Sequence, residues 1–140
     1  MPSNLVLAYR ATDYVTFFDS HAFLIRIGRH SLFIDGLLAS KKVGSGAFIT
    51  AWNPFSKSQS AGANAYWDRE LKSYLGTRGF SFLPGEGRGQ IGEWPPEPSI
   101  FAFGMSRAQA ASTGRRFRQN AIVHVRSGRP AELVMLRWVG

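Results

Sequence analysis

Residues 47–56, Ala-Phe-Ile-Thr-Ala-Trp-Asn-Pro-Phe-Ser, constrain the fold more than any other stretch of the chain. The apolar run from Ala47 to Trp52 predicts a strand, and Asn53-Pro54 ends it. Proline has no backbone N–H to donate and disfavours helical angles at the residue before it, so a strand arriving here must turn. A helical stripe opens soon afterwards, with Asn64, Trp67, Leu71, Tyr74 and Leu75 at three- and four-residue steps. Strand end, polar corner and helix start leave backbone N–H groups unpaired in one place, which makes this corner the expected functional end of the molecule.

The rest of the chain supplies partners for that strand and helix. Residues 12–18 and 22–27 are rich in β-branched and aromatic side chains about a turn at Asp19-Ser20-His21, which predicts a hairpin. Ser31 is placed to cap a helix with an apolar face of Leu32, Phe33, Leu37 and Leu38, ending near Lys41-Lys42 and Gly44. The helix over 61–75 spaces Asp68 and Lys72 for an ion pair and is closed by Gly76 and Gly79. Phe80, Phe82 and Leu83 predict a strand, and the glycine- and proline-rich stretch 84–98 a surface loop. A strand at 99–104, a helix at 107–117, a strand at 121–125, a turn at 128–130 and a strand at 133–138 complete the pattern. From residue 45 the order is β-α-β-β-α-β-β. It predicts an α+β fold with a ferredoxin-like βαββαβ core, an extra C-terminal strand, and an N-terminal hairpin plus helix. Residues 1–140 are expected to form a single domain.

Charge narrows the partners. Seventeen Lys and Arg against nine Asp and Glu give a formal charge of +8 and a pI near 10.6. That balance favours anions: nucleotides, nucleic acid or a membrane surface. From residue 107 onward Arg107, Arg115, Arg116, Arg118, Arg126, Arg129 and Arg137 face Glu132 alone, although a solvated surface accounts for them without any ligand. There is no cysteine, which excludes disulfides and thiolate chemistry. The apolar stretch 5–8 is too short for a signal-peptide core, and no run approaches the roughly 20 apolar residues of a membrane span. A cytoplasmic protein that does not engage membranes is expected; nothing in the sequence fixes an oligomeric state.

Few residues carry a chemical signature. At the corner, Asn53 and Ser56 either satisfy the turn's own backbone or, with the next helix's N–H groups, embrace a small anion. Asn64 lies on the core-facing stripe, where an amide without partners costs about 1–3 kcal/mol, so it braces the corner or lines a pocket beside it. The loop Gly85-Glu86-Gly87-Arg88-Gly89-Gln90 lacks the third glycine of a dinucleotide fingerprint and the Gly-Lys-Ser/Thr of a phosphate loop, so no cofactor is expected. Glu93 and Glu97 flank two prolines that forbid a common helical face; Glu97, ahead of an apolar strand, is the better carboxylate, with pairing to an Arg as its structural reading. Trp94 packs or provides a stacking wall, as Trp52 can. Arg115, Arg116 and Arg118 suit a helix C-terminus, and with Phe117 for stacking they suit a polyanion as well. One of Gln119 and Asn120 is expected to face inward and reach the corner. His21, His30 and His124 share no ligand spacing, His124 being expected on an exposed strand face, so no metal is expected.

Taken together, the 47–56 block, Asn64, Trp94 with Glu97, and Gln119-Asn120-Ala121-Ile122-Val123 resemble a bacterial family, domain-of-unknown-function family 3293. The resemblance covers about residues 14–125. It implies that the corner, Asn64, Glu97 and Gln119 form one constellation; the family pattern has an acidic residue where this chain has Ala63. The expected function is binding of a small anionic, nucleotide-like ligand by Trp52, Asn53, Ser56, Asn64, Trp94, Glu97 and Gln119. Two alternatives are a nucleic-acid-binding module using Arg107, Arg115, Arg116, Arg118 and Arg126, and an accessory protein-interaction domain without catalysis.

Overall fold

Ala47 and Ile49 point to one side of a strand and Phe48 to the other, and both sides are buried, so the strand lies between two packed layers. The computed structural model of the protein describes residues 4–53, 57–89 and 96–137. Among these residues the order is α1 (Asn4–Arg10), β1 (Asp13–Phe18), β2 (His21–Ile25), α2 (Leu32–Ser40), β3 (Ser45–Ile49), α3 (Ala61–Thr77), β4 (Phe82–Arg88), β5 (Glu97–Phe103), α4 (Arg107–Arg116), β6 (Ala121–Arg126) and β7 (Glu132–Met135). This is a mixed α/β fold with a seven-stranded sheet in the order β2-β1-β4-β5-β3-β6-β7. Each neighbouring pair is antiparallel.

The sheet curls until its edges meet. Ile27, past the end of β2, bridges to Ala131, just before β7. Gly28 N donates to Ala131 O at 2.8 Å and Ala131 N to Arg29 O at 3.0 Å. One apolar cluster joins Tyr14 and Ile25 from one edge with Val125 and Ala131 from the other, over Phe48, Phe101, Ile34, Leu37 and Leu38, so this face is the concave one. The convex face carries Ala47, Ile49, Ile100, Ala102 and Ile122 under Leu71 and Leu75 of α3 and Ala110 and Ala111 of α4.

Local chemistry explains most boundaries. Asp19 and Ser20 both adopt positive φ, 51° and 63°, as a tight hairpin turn requires. Ser31 caps α2 through the Ile34 N–H at 3.2 Å, and Asp68 pairs with Lys72 at 2.9 Å, both as expected. A capping box of Ser106 and Gln109 starts α4.

Four expectations change. Leu32 and Phe33 are 77% and 79% exposed, because the face of α2 that meets the sheet is Ile34, Leu37 and Leu38. Trp67 is also exposed, the stripe of α3 narrowing to Asn64, Leu71 and Leu75. Residues 84–88 are not a surface loop but the body of β4, paired on both sides with β1 and β5. Glycine is required there: a Cβ on Gly85 would lie 2.6 Å from Val15 O and 2.9 Å from the Phe48 ring. His124 is 2% exposed and hydrogen-bonds Met105 O at 2.9 Å, since its face of β6 is covered by α4 and the loop before it. Among the described residues no helix is long and apolar enough to cross a membrane.

Candidate functional site

The corner after β3 is held by its own polar groups. Thr50 Oγ1 donates to Pro98 O at 2.8 Å and accepts the Trp52 N–H at 3.0 Å. Asn53 has φ 44°, a left-handed conformation that asparagine tolerates better than most residues. Its N–H donates to Asn64 Oδ1 at 2.8 Å, and Asn64 Nδ2 returns a bond to Asn53 Oδ1 at 3.0 Å. Gln59 adds a backbone N–H to Asn53 Oδ1 at 3.3 Å and a side-chain N–H to Asn64 Oδ1 at 2.8 Å. The first turn of α3 is closed by Ser60, whose Oγ accepts the Ala63 N–H at 3.1 Å. Each amide oxygen accepts two bonds, so Asn53 and Asn64 clamp the turn.

Gln119 ties this clamp to β6. Its Nε2 donates to Trp52 O at 3.3 Å and Phe117 O at 3.1 Å. Trp52, Asn53, Glu97 and Gln119 border one cavity of about 290 Å³ on the concave face, whereas Asn64 is buried and is not among its lining residues. Ser56 and Trp94 lie outside the described residues.

The cavity follows from the register of β4. Gly87 pairs with Tyr14 on one side and Glu97 on the other. A glycine between them leaves the concave face bare, and the Tyr14 phenol and Glu97 carboxyl share the space. A Cβ on Gly87 would meet nothing closer than Thr12 Cγ2 at 3.6 Å. Leu5, Ala8 and Tyr9 of α1 border the cavity, and the Tyr14 hydroxyl donates to Tyr9 O at 3.1 Å.

Electrostatically the cavity is distinctive. Burial pushes the Glu97 carboxyl up to about 7, against a weaker opposing hydrogen bond with Thr50. Its expected Arg partner is not found: among the described residues Glu97 makes no ion pair, and no Lys, Arg or His lines the cavity. Burial, reinforced by nearby Tyr9, also raises the Tyr14 phenol above its ordinary range. Trp52 Nε1–H is buried with no acceptor among the described residues.

Tyr9, Tyr14, Phe48, Thr50 and Ser99 line the cavity but were not singled out from sequence. Parity held the signal for three of them. Phe48 and Thr50 alternate with Ala47 and Ile49, and Ser99 lies opposite Gly85 in register, hence on the concave side. Tyr9 lies on α1 and Tyr14 on β1, brought near Glu97 by strand pairing across β4 that no local pattern reveals.

Arg107 pairs with Glu132 at 3.0 Å at the start of α4, while Arg115 and Arg116 sit at its other end, ~14 Å away at 1.5 Å per residue. Arg116 stacks on Tyr74 at 4.6 Å, and Arg118 and Arg126 are exposed. Phe117 is 6% exposed in the convex core and so is not available to stack on a base. Among the described residues no group of three or more His, Cys, Asp or Glu is placed to hold a metal.

Comparison with known proteins gives a family. The family described as Protein of unknown function (DUF3293) matches over residues 49–122, just over half the chain and spanning the corner, Glu97 and Gln119. The chain belongs to that family. No curated protein and no solved structure matches it.

Proposed function

We propose that this protein binds a small organic molecule in the concave-face cavity, with Glu97 as the central recognition group and Trp52, Asn53 and Gln119 at the rim. The observation that carries the reading is a cavity of about 290 Å³ holding a carboxyl with no ion-pair partner among the described residues. That volume is at the small end of ligand pockets, and a mainly apolar wall with a few polar groups is their usual composition.

The walls bear on the ligand's charge. An anion such as a nucleotide would meet Glu97 and no lining cation, so the anionic reading leans on the protein's overall +8 charge rather than on the cavity. An uncharged or cationic ligand suits the walls better. The strand order β4-β5-β3-β6, with α3 and α4 over one face, supports a ferredoxin-like reading of residues 45–126, to which β1, β2 and α1 add the cavity's far wall.

The test is a fragment screen by ligand-observed NMR against the wild type and Gly87→Val. Valine at 87 places its side chain in the cavity, its Cβ meeting only ordinary contacts. Fragments are expected to bind the wild type and to lose at least tenfold in affinity to the variant. Absence of wild-type hits, or hits that Gly87→Val leaves untouched, overturns the proposal.

A further inference from the structure

The geometry points to a small organic cation, an ammonium, as the ligand class of the concave cavity. The inference rests on the small-molecule reading above and deepens it. Four aromatic side chains border the space: Tyr9 from α1, Tyr14 from β1, Phe48 from β3 and Trp52 from the corner. Tyr14 and Phe48 meet edge to face, with centroids 5.2 Å apart. Aromatic walls around a carboxylate are the chemistry that recognises ammonium groups, because ring faces are electronegative and lose nothing by being dry.

Glu97 is the second component. A carboxylate in an apolar cavity needs a hydrogen-bonding partner or a positive charge, or else it takes up a proton. Among the described residues no Lys, Arg or His lines the cavity, and burial raises the carboxyl to about 7 against a weaker hydrogen bond with Thr50. A ligand cation provides the missing charge. Bordering the cavity with Glu97 are Tyr9 from α1, Tyr14 from β1 and the neutral Thr50, Ser99 and Gln119. The charged residues on adjoining strands are engaged with each other, Arg26 with Asp13 at 2.6 Å and Arg88 with Glu86 at 3.3 Å.

The overall +8 charge opposes a cation only at long range, and at physiological salt that field is screened beyond ~8 Å.

Choline is a suitable probe, since it is a small quaternary ammonium. Its control is the uncharged isostere in which a tert-butyl group replaces trimethylammonium. Isothermal titration at pH 8 is expected to show choline binding the wild type at least tenfold more tightly than the isostere, with most of that preference lost in Glu97→Gln. Choline affinity should fall several-fold from pH 8 to pH 6, as Glu97 takes up a proton, while that of the isostere stays level. Equal binding of the two probes, or a preference that survives Glu97→Gln, overturns the cation assignment and leaves the small-molecule reading standing. No choline binding overturns the assignment too. If the fragment screen also yields nothing that Gly87→Val removes, the cavity reading falls with it.

Discussion

Two glycines, Gly114 on α4 and Gly87 on β4, are small for opposite ends. On the convex face Gly114 lets α4 press onto the sheet: a Cβ there would lie 2.4 Å from Leu136 Cδ1 and 2.7 Å from Ile122 Cγ2. On the concave face a Cβ on Gly87 would find its first neighbour at 3.6 Å. The first glycine is small so that two surfaces can touch, and the second so that they do not. A residue's size therefore says nothing about packing until the opposite wall is known. The same division holds for polar groups. Asn53 and Asn64 satisfy each other at the corner, whereas Glu97, on the other side of Trp52, is left for something that the described protein does not supply.

The largest break in this comparison should come from filling the convex face. Gly114→Val adds three carbons where one already overlaps two side chains, and overpacking of this kind costs 1–3 kcal/mol or more. We expect a loss of about 3 kcal/mol in urea unfolding, partly regained when Leu136→Ala is added. Loss of under about 1 kcal/mol would show that α4 can shift and that its close approach is not required.

How much of this was legible in the sequence depended on the range of the signal. The hairpin, the Ser31 cap and the Asp68–Lys72 pair are settled within a few residues, and each formed as expected. The faces of α2 and α3 were harder, since Leu32, Phe33 and Trp67 fit the periodicity but project beyond the sheet's reach. The greatest departure was β4. Glycine and proline at 84–87 weaken an isolated strand, and only the Val15 carbonyl and the Phe48 ring, distant in sequence, make glycine necessary there. At the site, Trp52, Asn53, Glu97 and Gln119 stood out because polar residues interrupt apolar strands. The aromatic wall of Tyr9 and Tyr14 depended on strand pairing across β4, which sequence patterning does not encode.

The polar side of the comparison can be sharpened by titration. Glu97 is raised from an ordinary 4.5 to about 7, so between those values the folded state binds more protons than the unfolded one. Its contribution is therefore fully present below about pH 4.5 and is lost as pH rises through 7. The difference amounts to about 3 kcal/mol. Glu97→Gln should match the wild type at pH 5 and exceed it by about that much at pH 8. Subtracting the two unfolding curves removes the other carboxylates, including Asp35, which the Gly128 N–H and His30 hold below its ordinary range. A difference that stays constant across this pH range would mean that Glu97 is as well solvated as a surface carboxylate.

The smallest effect is also the most diagnostic, because it should have the unexpected sign. Gly87→Ala adds a single methyl inside a paired strand, where Gly87 is not among the glycines with positive φ. Alanine restricts the unfolded chain and so stabilises by about 0.5 kcal/mol wherever the native backbone accommodates it. On the concave face the methyl should make only ordinary contacts, the nearest with Thr12 Cγ2 at 3.6 Å, and the variant should be slightly more stable than the wild type. Gly114→Ala, the identical change on the other face, should be destabilising, although helices ordinarily favour alanine over glycine. Opposite signs for one chemical change would place the difference in the walls and not in the residue. If Gly87→Ala instead lost more than about 1 kcal/mol, the concave face would be as filled as the convex one, and no room would remain for a ligand beside Glu97.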